Sequence, residues 1–256
     1  MTKETVERPE ATSESGEESV VARAAALFRQ DLSAFSYTQL REAIESIVPL
    51  VDEPLELNGL EVRWHKVANP DQLLTEAVSD SRWSPTDIDP FWSVAWRAAQ
   101  GIDSYLARMN LSGVRVLELG GGAGYAGLAA AARGASVTLT DAVELALLVA
   151  RLNSLPLLDR VVLARLRWGE TRLAVDNFPI IIGSDLVYDP NHFSILQHCA
   201  REHLAPGGRW ILSEPNRHTG DAFAQWIVAA GWKCRIEQMD LADGRIPIRI
   251  FECHLL

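Results

Sequence analysis

From Val114 to the C terminus, short apolar runs alternate with amphipathic stretches. The apolar runs predict seven strands, and the stretches between the first six, except that between the third and fourth, are predicted to be helices. The predicted strands lie at residues 114–119, 138–141, 161–166, 178–185, 209–214, 233–239 and 246–253. Strands that alternate with helices predict a parallel, doubly wound α/β sheet. The last two strands are separated only by a turn at residues 242–244, which is too short for a crossover helix, so we expect that pair to be antiparallel.

The first 55 residues have a different pattern. Residues 1–19 contain six Glu and almost no apolar side chain, which predicts a disordered acidic tail. Residues 20–55 carry apolar side chains at helical spacing, and Ser36 with Gln39 predicts a capping box at the start of a second helix. We therefore predict a helical extension over residues 20–55, which could cover the edge of a site or serve as a dimerisation arm.

A hairpin and a long helix are predicted next. Residues 55–67 alternate apolar and polar side chains on either side of Asn58 and Gly59, a strong hairpin signal. Residues 89–109 have the pattern of one amphipathic helix that leads into the first strand of the sheet. We assign residues 56–256 to a single α/β domain.

Residues 114–134 combine a buried strand, a glycine turn and a helix. Gly120, Gly121, Gly122 and Gly124 remove side chains from the turn, so backbone N–H groups and a helix N-terminus can approach a ligand closely. This arrangement predicts a binding site for a polar cofactor.

The glycines alone leave the type of cofactor open. Gly122, Gly124 and Gly127 fit the dinucleotide pattern G-x-G-x-x-G, with Asp141 placed for a ribose diol, as in an oxidoreductase that transfers hydride. Glu118 precedes the turn and favours a ligand with positive charge over a diphosphate. S-adenosylmethionine carries such charge, and the antiparallel last strands are also unusual for a dehydrogenase. A structural turn without a ligand is the remaining alternative.

Ligands of open parallel sheets lie beyond the carboxyl ends of the strands. The polar and aromatic candidates at those ends are Glu118, Asp141, Arg167, Trp168, Ser184, Asp185 and Glu214. Asp141 can accept hydrogen bonds from a ribose diol and can also cap a helix that starts at Val143. Trp168 can form a wall for adenine or pack in the core.

Composition excludes several classes of protein. The net charge of −10 argues against a broad nucleic-acid interface, although a small basic patch stays possible on these grounds. Cys199, Cys234 and Cys253 lack the spacing of metal ligands, so we expect free thiols, no metal site and a cytoplasmic location. No apolar run is long enough for a membrane span.

Several motifs together resemble one family. From about Leu55 onward the chain resembles the lysine-methyltransferase-related branch of the class I (seven-β-strand) S-adenosylmethionine-dependent methyltransferases. The motifs that carry the resemblance are PFWxxxW, VLELGxGxG, TLTD, a Trp after the third strand, GSDLVY, PGGR and EPNR. The resemblance implies a Rossmann-like sheet and S-adenosylmethionine as cofactor.

The resemblance also assigns site residues. It implies that the cofactor touches Trp96, Gly120, Gly121, Gly122, Asp141, Trp168 and Ser184. Asp185 and Tyr188 match a D-x-x-Y motif at the substrate mouth. Arg167 stands where an acidic residue is common, and because Arg has no acceptor for the adenine amino group, that hydrogen bond must come from another residue.

The resemblance implies methylation of a protein nitrogen, and the expected acceptor is a lysine amine. The chain lacks N-P-P-Y-like residues after the fourth strand, and the carboxylate of Asp185 suits a cationic amine better than a planar amide. In this prediction Asp185 orients the amine, while water or Tyr188 helps to remove its proton. A small-molecule N-methyltransferase and a catalytically silent cofactor-binding or interaction protein are the alternatives; in the silent case Asp185 only supports the strand end.

Overall fold

The computed structural model describes residues 19–79, 90–94, 96–175 and 177–256. The predicted acidic tail, apart from its last residue, lies outside the described residues. The helices are α1 (Val20–Phe28), α2 (Tyr37–Glu45), α3 (Pro70–Ser79), α4 (Arg97–Leu106), α5 (Tyr125–Ala132), α6 (Glu144–Asn153), α7 (Phe193–His203) and α8 (His218–Ala229). The strands are β1 (Leu50–Leu57), β2 (Leu60–Val67), β3 (Arg115–Glu118), β4 (Ser136–Asp141), β5 (Val161–Arg165), β6 (Phe178–Ser184), β7 (Leu204–Glu214), β8 (Trp232–Met239) and β9 (Ile248–Leu255).

The seven strands from β3 to β9 form one sheet in the order β5-β4-β3-β6-β7-β9-β8. Strands β3 to β7 pair in parallel, and β9 runs antiparallel to both β7 and β8. The predicted fold class is therefore confirmed. Because the strand order reverses beside β3, the carboxyl ends of β3, β4 and β6 surround a crevice of the kind in which open α/β sheets bind ligands.

The sheet is covered on both faces by buried apolar side chains. Helices α4 and α5 contribute to the core on one face, where the short side chains from Ala129 to Ala131 are fully buried. Phe193 of α7 and Phe223 of α8 contribute to the core on the other face, beside Trp210 of β7. Burial on both faces explains why the parallel strands are continuous apolar runs in the sequence.

The N-terminal helices pack into the same body. The capping box of Ser36 and Gln39 is present at the start of α2. Leu27 of α1 and Leu40 of α2 share a buried cluster with Leu148 of α6. The extension therefore packs on the helix that follows β4, and its separation from residues 56–256 as a domain stays a prediction.

Several predicted boundaries are wrong. The extension is helical only to Glu45, and the hairpin begins at Leu50 rather than at residue 55. The single helix predicted over residues 89–109 is a short 3-10 helix (Pro90–Ser93) followed by α4. Trp96 is extended, with φ −77° and ψ 134°, and its indole N–H donates to the Phe91 carbonyl at 2.7 Å. This local hydrogen bond, between residues five positions apart, takes the place of the regular helical pattern here.

Candidate active site

A cavity of about 580 Å³ opens beside the carboxyl ends of β3, β4 and β6. Most predicted site residues line it: Trp96, Gly120, Gly121, Gly122, Gly124, Asp141, Trp168, Ser184, Asp185 and Tyr188. Glu118 and Glu214 do not, and the buried carboxylate of Glu214 instead accepts from Arg217 N and pairs with Arg249. The structure thus brings together residues that are up to 92 positions apart in the chain. What they bind stays a prediction at this point.

The glycine turn has a backbone that only glycine adopts readily. Gly120, Gly122 and Gly124 have φ values of 57°, 54° and 97°, in the left-handed region. A Cβ at Gly122 would lie 3.2 Å from the Trp92 carbonyl oxygen, and one at Gly120 would lie 2.7 Å from Leu186 Cδ2. The turn therefore packs closely against neighbouring protein atoms, and its bare backbone also lines the cavity.

Asp141 fixes this turn against the next strand. Its carboxylate accepts from Gly122 N at 2.8 Å and from Val143 N at 2.9 Å. Helix α6 starts at Glu144 with Val143 as its N-cap residue, so the prediction that Asp141 is the N-cap residue is wrong by two positions. Asp141 instead bonds the N-cap residue itself while it lines the cavity.

Glu118 does not line the cavity, contrary to the prediction that it faces the cofactor. Its side chain is fully buried behind the turn, where Oε2 accepts from Gly127 N at 3.0 Å. Within the described residues, no polar atom bonds its Oε1. Burial raises the pKa of Glu118 to about 8, so at pH 7 the carboxyl is mainly neutral. A strand-end residue can point back into the protein, and sequence alone does not give that direction.

One wall of the cavity contains Arg167, Trp168 and Glu170. Trp168 is half-buried, and its Cζ2 would lie 3.3 Å from a Cβ at Gly120. Glu170 was not predicted as a site residue. Because Arg167 offers no acceptor, the carboxylate of Glu170 is the acidic group that this segment contributes to the cavity. The acid three positions after Arg167 was the signal in the sequence.

Asp185 is paired with Arg217, a residue that was not among the sequence-based site predictions. Arg217 donates to both carboxylate oxygens of Asp185, at 2.9 Å for Nη2 and Oδ2. Burial raises the pKa of Asp185, and the guanidinium of Arg217 opposes that rise. Asp185 also has a left-handed backbone, with φ 58°. The EPNR motif after β7 contained Arg217, but nothing in it indicated Asp185 as the partner.

Aromatic side chains form the mouth beside this pair. Phe91 is 52% exposed, and its ring centroid lies 6.3 Å from Trp96 and 6.0 Å from Tyr188. Arg217 lies over Trp96, with 5.8 Å between Cζ and the ring centroid. An exposed aromatic rim around a carboxylate can hold a cationic side chain through charge and cation–π contacts.

The hairpin also reaches the cavity, which was not predicted. Trp64 and Lys66 of β2 line it, and Trp64 packs edge-on against Tyr125 at 5.7 Å between centroids.

In the described part of the chain, no helix has the length and apolar content to span a membrane.

Known proteins resemble this chain in sequence and in fold. It is 29% identical over 153 residues to the mouse EEF1A lysine methyltransferase 3, a match that covers 57% of this chain and 66% of that protein. It is 35% identical over 131 residues to the zebrafish protein N-lysine methyltransferase METTL21A, covering 47% and 58%. The matches thus span about three fifths to two thirds of these relatives. The crystal structure of the glycopeptide N-methyltransferase MtfA complexed with S-adenosylmethionine has the same fold, with a TM-score of 0.56, 16% identity and coverage of 62% of this chain and 94% of that one.

A family model described as lysine methyltransferase matches residues 91–226. This range contains the glycine turn, Asp141, Trp168 and the Asp185–Arg217 pair, and it exceeds half of the 256 residues. The chain therefore belongs to the lysine methyltransferase family.

Proposed function

We propose that this chain transfers a methyl group from S-adenosylmethionine to a protein nitrogen, with a lysine amine as acceptor. The observation that carries the proposal is the position of Asp185. Its carboxylate lies on the same cavity as the glycine turn and beside the exposed aromatic rim, so one crevice offers a cofactor cradle and an acceptor mouth. Membership of the family and the lysine methyltransferases among its relatives support the same acceptor.

The residues fit the proposed cofactor. Gly120 and Gly122 line the cavity with backbone that carries no side chain, so a ligand group can approach it closely, and Asp141 supplies acceptors for a ribose diol. Trp168 offers an apolar face for adenine, and Glu170 offers an acceptor for its amino group. The predicted contacts of Trp96, Gly121, Gly124 and Ser184 are part of this proposal. Direct contact with Glu118 is not.

The cofactor supplies a methyl group on a positively charged sulfur. The chain's own residues have to position the amine, exclude water and accept a proton. Asp185 orients the amine, and Tyr188 at the rim encloses it. Arg217 already donates to the Asp185 carboxylate, so the methyl acceptor must share that carboxylate with the guanidinium or displace it. This requirement favours a cationic acceptor, which can take the place of the guanidinium.

The rim favours a protein acceptor over a small amine. Phe91, Trp96 and Tyr188 are 52%, 37% and 37% exposed. A small substrate is normally enclosed on most of its surface, whereas a side chain presented by another protein needs an open, apolar approach. A cytoplasmic location stays part of the proposal, in keeping with the three unpaired cysteines.

Two experiments test the proposal. Calorimetric titration of S-adenosylmethionine, S-adenosylhomocysteine and NAD separates a methyltransferase from an oxidoreductase and from a protein with no ligand. Transfer of a labelled methyl group to a cell lysate, compared with its small-molecule fraction, separates protein from small acceptors. Label only in the small-molecule fraction would contradict a protein acceptor, and no label in either would favour a silent protein.

Asp185→Asn tests the role of the carboxylate. Asn tolerates the left-handed backbone, so the turn should persist. We expect turnover to fall by about 10²-fold, as when a reacting group loses the residue that orients it, with little change in affinity for S-adenosylhomocysteine. Asp159→Asn, at an exposed carboxylate, is the matched control. Unchanged turnover in Asp185→Asn would assign Asp185 a supporting role only.

A further inference from the structure

A buried amide connects the hairpin to the glycine turn. Asn153, the last residue of α6, is 1% exposed, as is His65 of β2. His65 N donates to Asn153 Oδ1 at 2.7 Å, and Asn153 Nδ2 donates to the His65 carbonyl at 3.1 Å. The same Nδ2 donates to the Ala123 carbonyl at 3.0 Å. One side chain therefore bonds the backbone of both segments.

The imidazole of His65 extends this connection to the N-terminal helices. Its Nδ1 lies 3.0 Å from Asn153 Oδ1, so Nδ1 carries the proton and Nε2 accepts from the Tyr37 hydroxyl at 3.0 Å. Burial lowers the pKa of His65, which keeps the ring neutral, as this arrangement requires. Tyr37 begins α2, so the chain of hydrogen bonds runs from the extension to the turn.

The connected atoms lie where a ligand would bind. Ala123 is the residue between Gly122 and Gly124, and all three line the cavity. Trp64 and Lys66, the neighbours of His65 in β2, line it too. Because successive side chains of a strand point to opposite faces, β2 presents Trp64 and Lys66 to the cavity while the other face carries His65.

We propose that Asn153 and His65 are positioning residues that hold the glycine turn in its ligand-binding conformation. In this role the helical extension and hairpin are part of the cofactor site. The side-chain amide of the buried Asn153 fixes the direction of the Ala123 carbonyl. The residues on either side of Ala123, Gly122 and Gly124, have the left-handed backbone of the turn. The proposal rests on the proposed function for the nature of the ligand, but its effect on the turn is independent of it.

Asn153→Asp is the sharpest test. The substituted side chain keeps an oxygen for His65 N but has no donor for the carbonyls of Ala123 and His65, so two hydrogen bonds are lost. Loss of the bond to the glycine turn is expected to weaken binding of S-adenosylhomocysteine about tenfold. Amide hydrogen exchange should accelerate at Gly121, Gly124 and Leu128, while exchange in β7 and β9 stays as in the native protein.

Asn58→Gly is the matched control. Asn58 also donates a hairpin amide to a backbone carbonyl, that of Ala132, at the far end of α5, and Gly tolerates its φ of 50°. Asn58→Gly should change neither the affinity for S-adenosylhomocysteine nor amide hydrogen exchange in the glycine turn. Equal effects of Asn153→Asp and Asn58→Gly, or native affinity and exchange in folded Asn153→Asp, would overturn the proposal.

Tyr37→Phe keeps the test decisive if Asn153→Asp does not fold. It removes only the hydroxyl that His65 accepts from, at the surface end of the network. We expect at least a twofold loss of affinity for S-adenosylhomocysteine and faster amide hydrogen exchange at Gly121 and Gly124. If neither the affinity nor the exchange changes, the proposal is overturned. If the native protein binds no S-adenosylhomocysteine, the proposed function fails, and exchange in the turn alone decides the positioning role.

Discussion

Replacing Glu118 by Gln should make the protein more stable at alkaline pH. The carboxyl is fully buried, with a pKa of about 8 against an ordinary value of 4.5. Between these two values the folded state binds a proton that the unfolded state has released, so stability falls as pH rises through this window. The fall levels off above pH 8, where both states are ionised.

The size of the effect follows from the two pKa values. One pKa unit corresponds to about 1.4 kcal/mol, so between pH 6 and pH 9 Glu118 should remove about 3 kcal/mol from the free energy of unfolding. Glu118→Gln keeps an oxygen for Gly127 N and does not ionise. Its unpaired amide hydrogens cost about 1–3 kcal/mol at every pH, so the slope with pH is the diagnostic quantity.

Denaturant unfolding without cofactor, followed by tryptophan fluorescence from pH 6 to pH 9, measures this slope. The native protein and Glu61→Gln, at an exposed position of β2, should share one profile. Glu118→Gln should lack the decline of about 3 kcal/mol. Parallel profiles for Glu118→Gln and the native protein would refute the burial argument and place a charged carboxylate behind the turn.

Two further predictions concern the packing of α4 on the sheet and the cysteines of the last two strands. Gly101→Ala places a Cβ in contact with Ile248, and we expect the free energy of unfolding to fall by about 1–2 kcal/mol, because overpacking outweighs the gain in helix propensity; an unchanged or higher denaturant midpoint would contradict this. Cys234 and Cys253 are opposed on β8 and β9 with their Sγ atoms 3.5 Å apart. A mild thiol oxidant should therefore join this pair and leave Cys199 free, and peptide mapping without reductant that finds any other pairing would be inconsistent with the structure.

The parts of the fold that were predictable depend on local geometry. The hairpin turn at Asn58 and Gly59 requires positive φ at both residues, and those residue types adopt it. The antiparallel pair of β8 and β9 followed from the length of one connection. The glycine turn was equally local, because its conformation and its closeness to other backbone both exclude a side chain.

The parts that were missed depend on tertiary contacts. Asp185 and Arg217 are 32 positions apart and meet only because β6 and β7 are neighbours in the sheet. The direction of the Glu118 side chain depends on where α5 packs. The helix predicted over residues 89–109 has the right periodicity, but Trp96 is held extended by Phe91. The spacing of apolar residues shows which side chains can share one face of a helix. It does not show whether other hydrogen bonds compete with the backbone bonds of that helix.

The backbone at position 185 has a consequence for how relatives of this protein lose activity. An aspartate with φ 58° has a strained backbone, and asparagine or glycine at the same position would reduce that strain. Drift from aspartate to either residue would therefore meet no opposition from the backbone, so the pairing with Arg217 and the proposed chemistry are what keep the carboxylate in place. A homologue with asparagine or glycine at this position is a natural candidate for a pseudoenzyme that still folds.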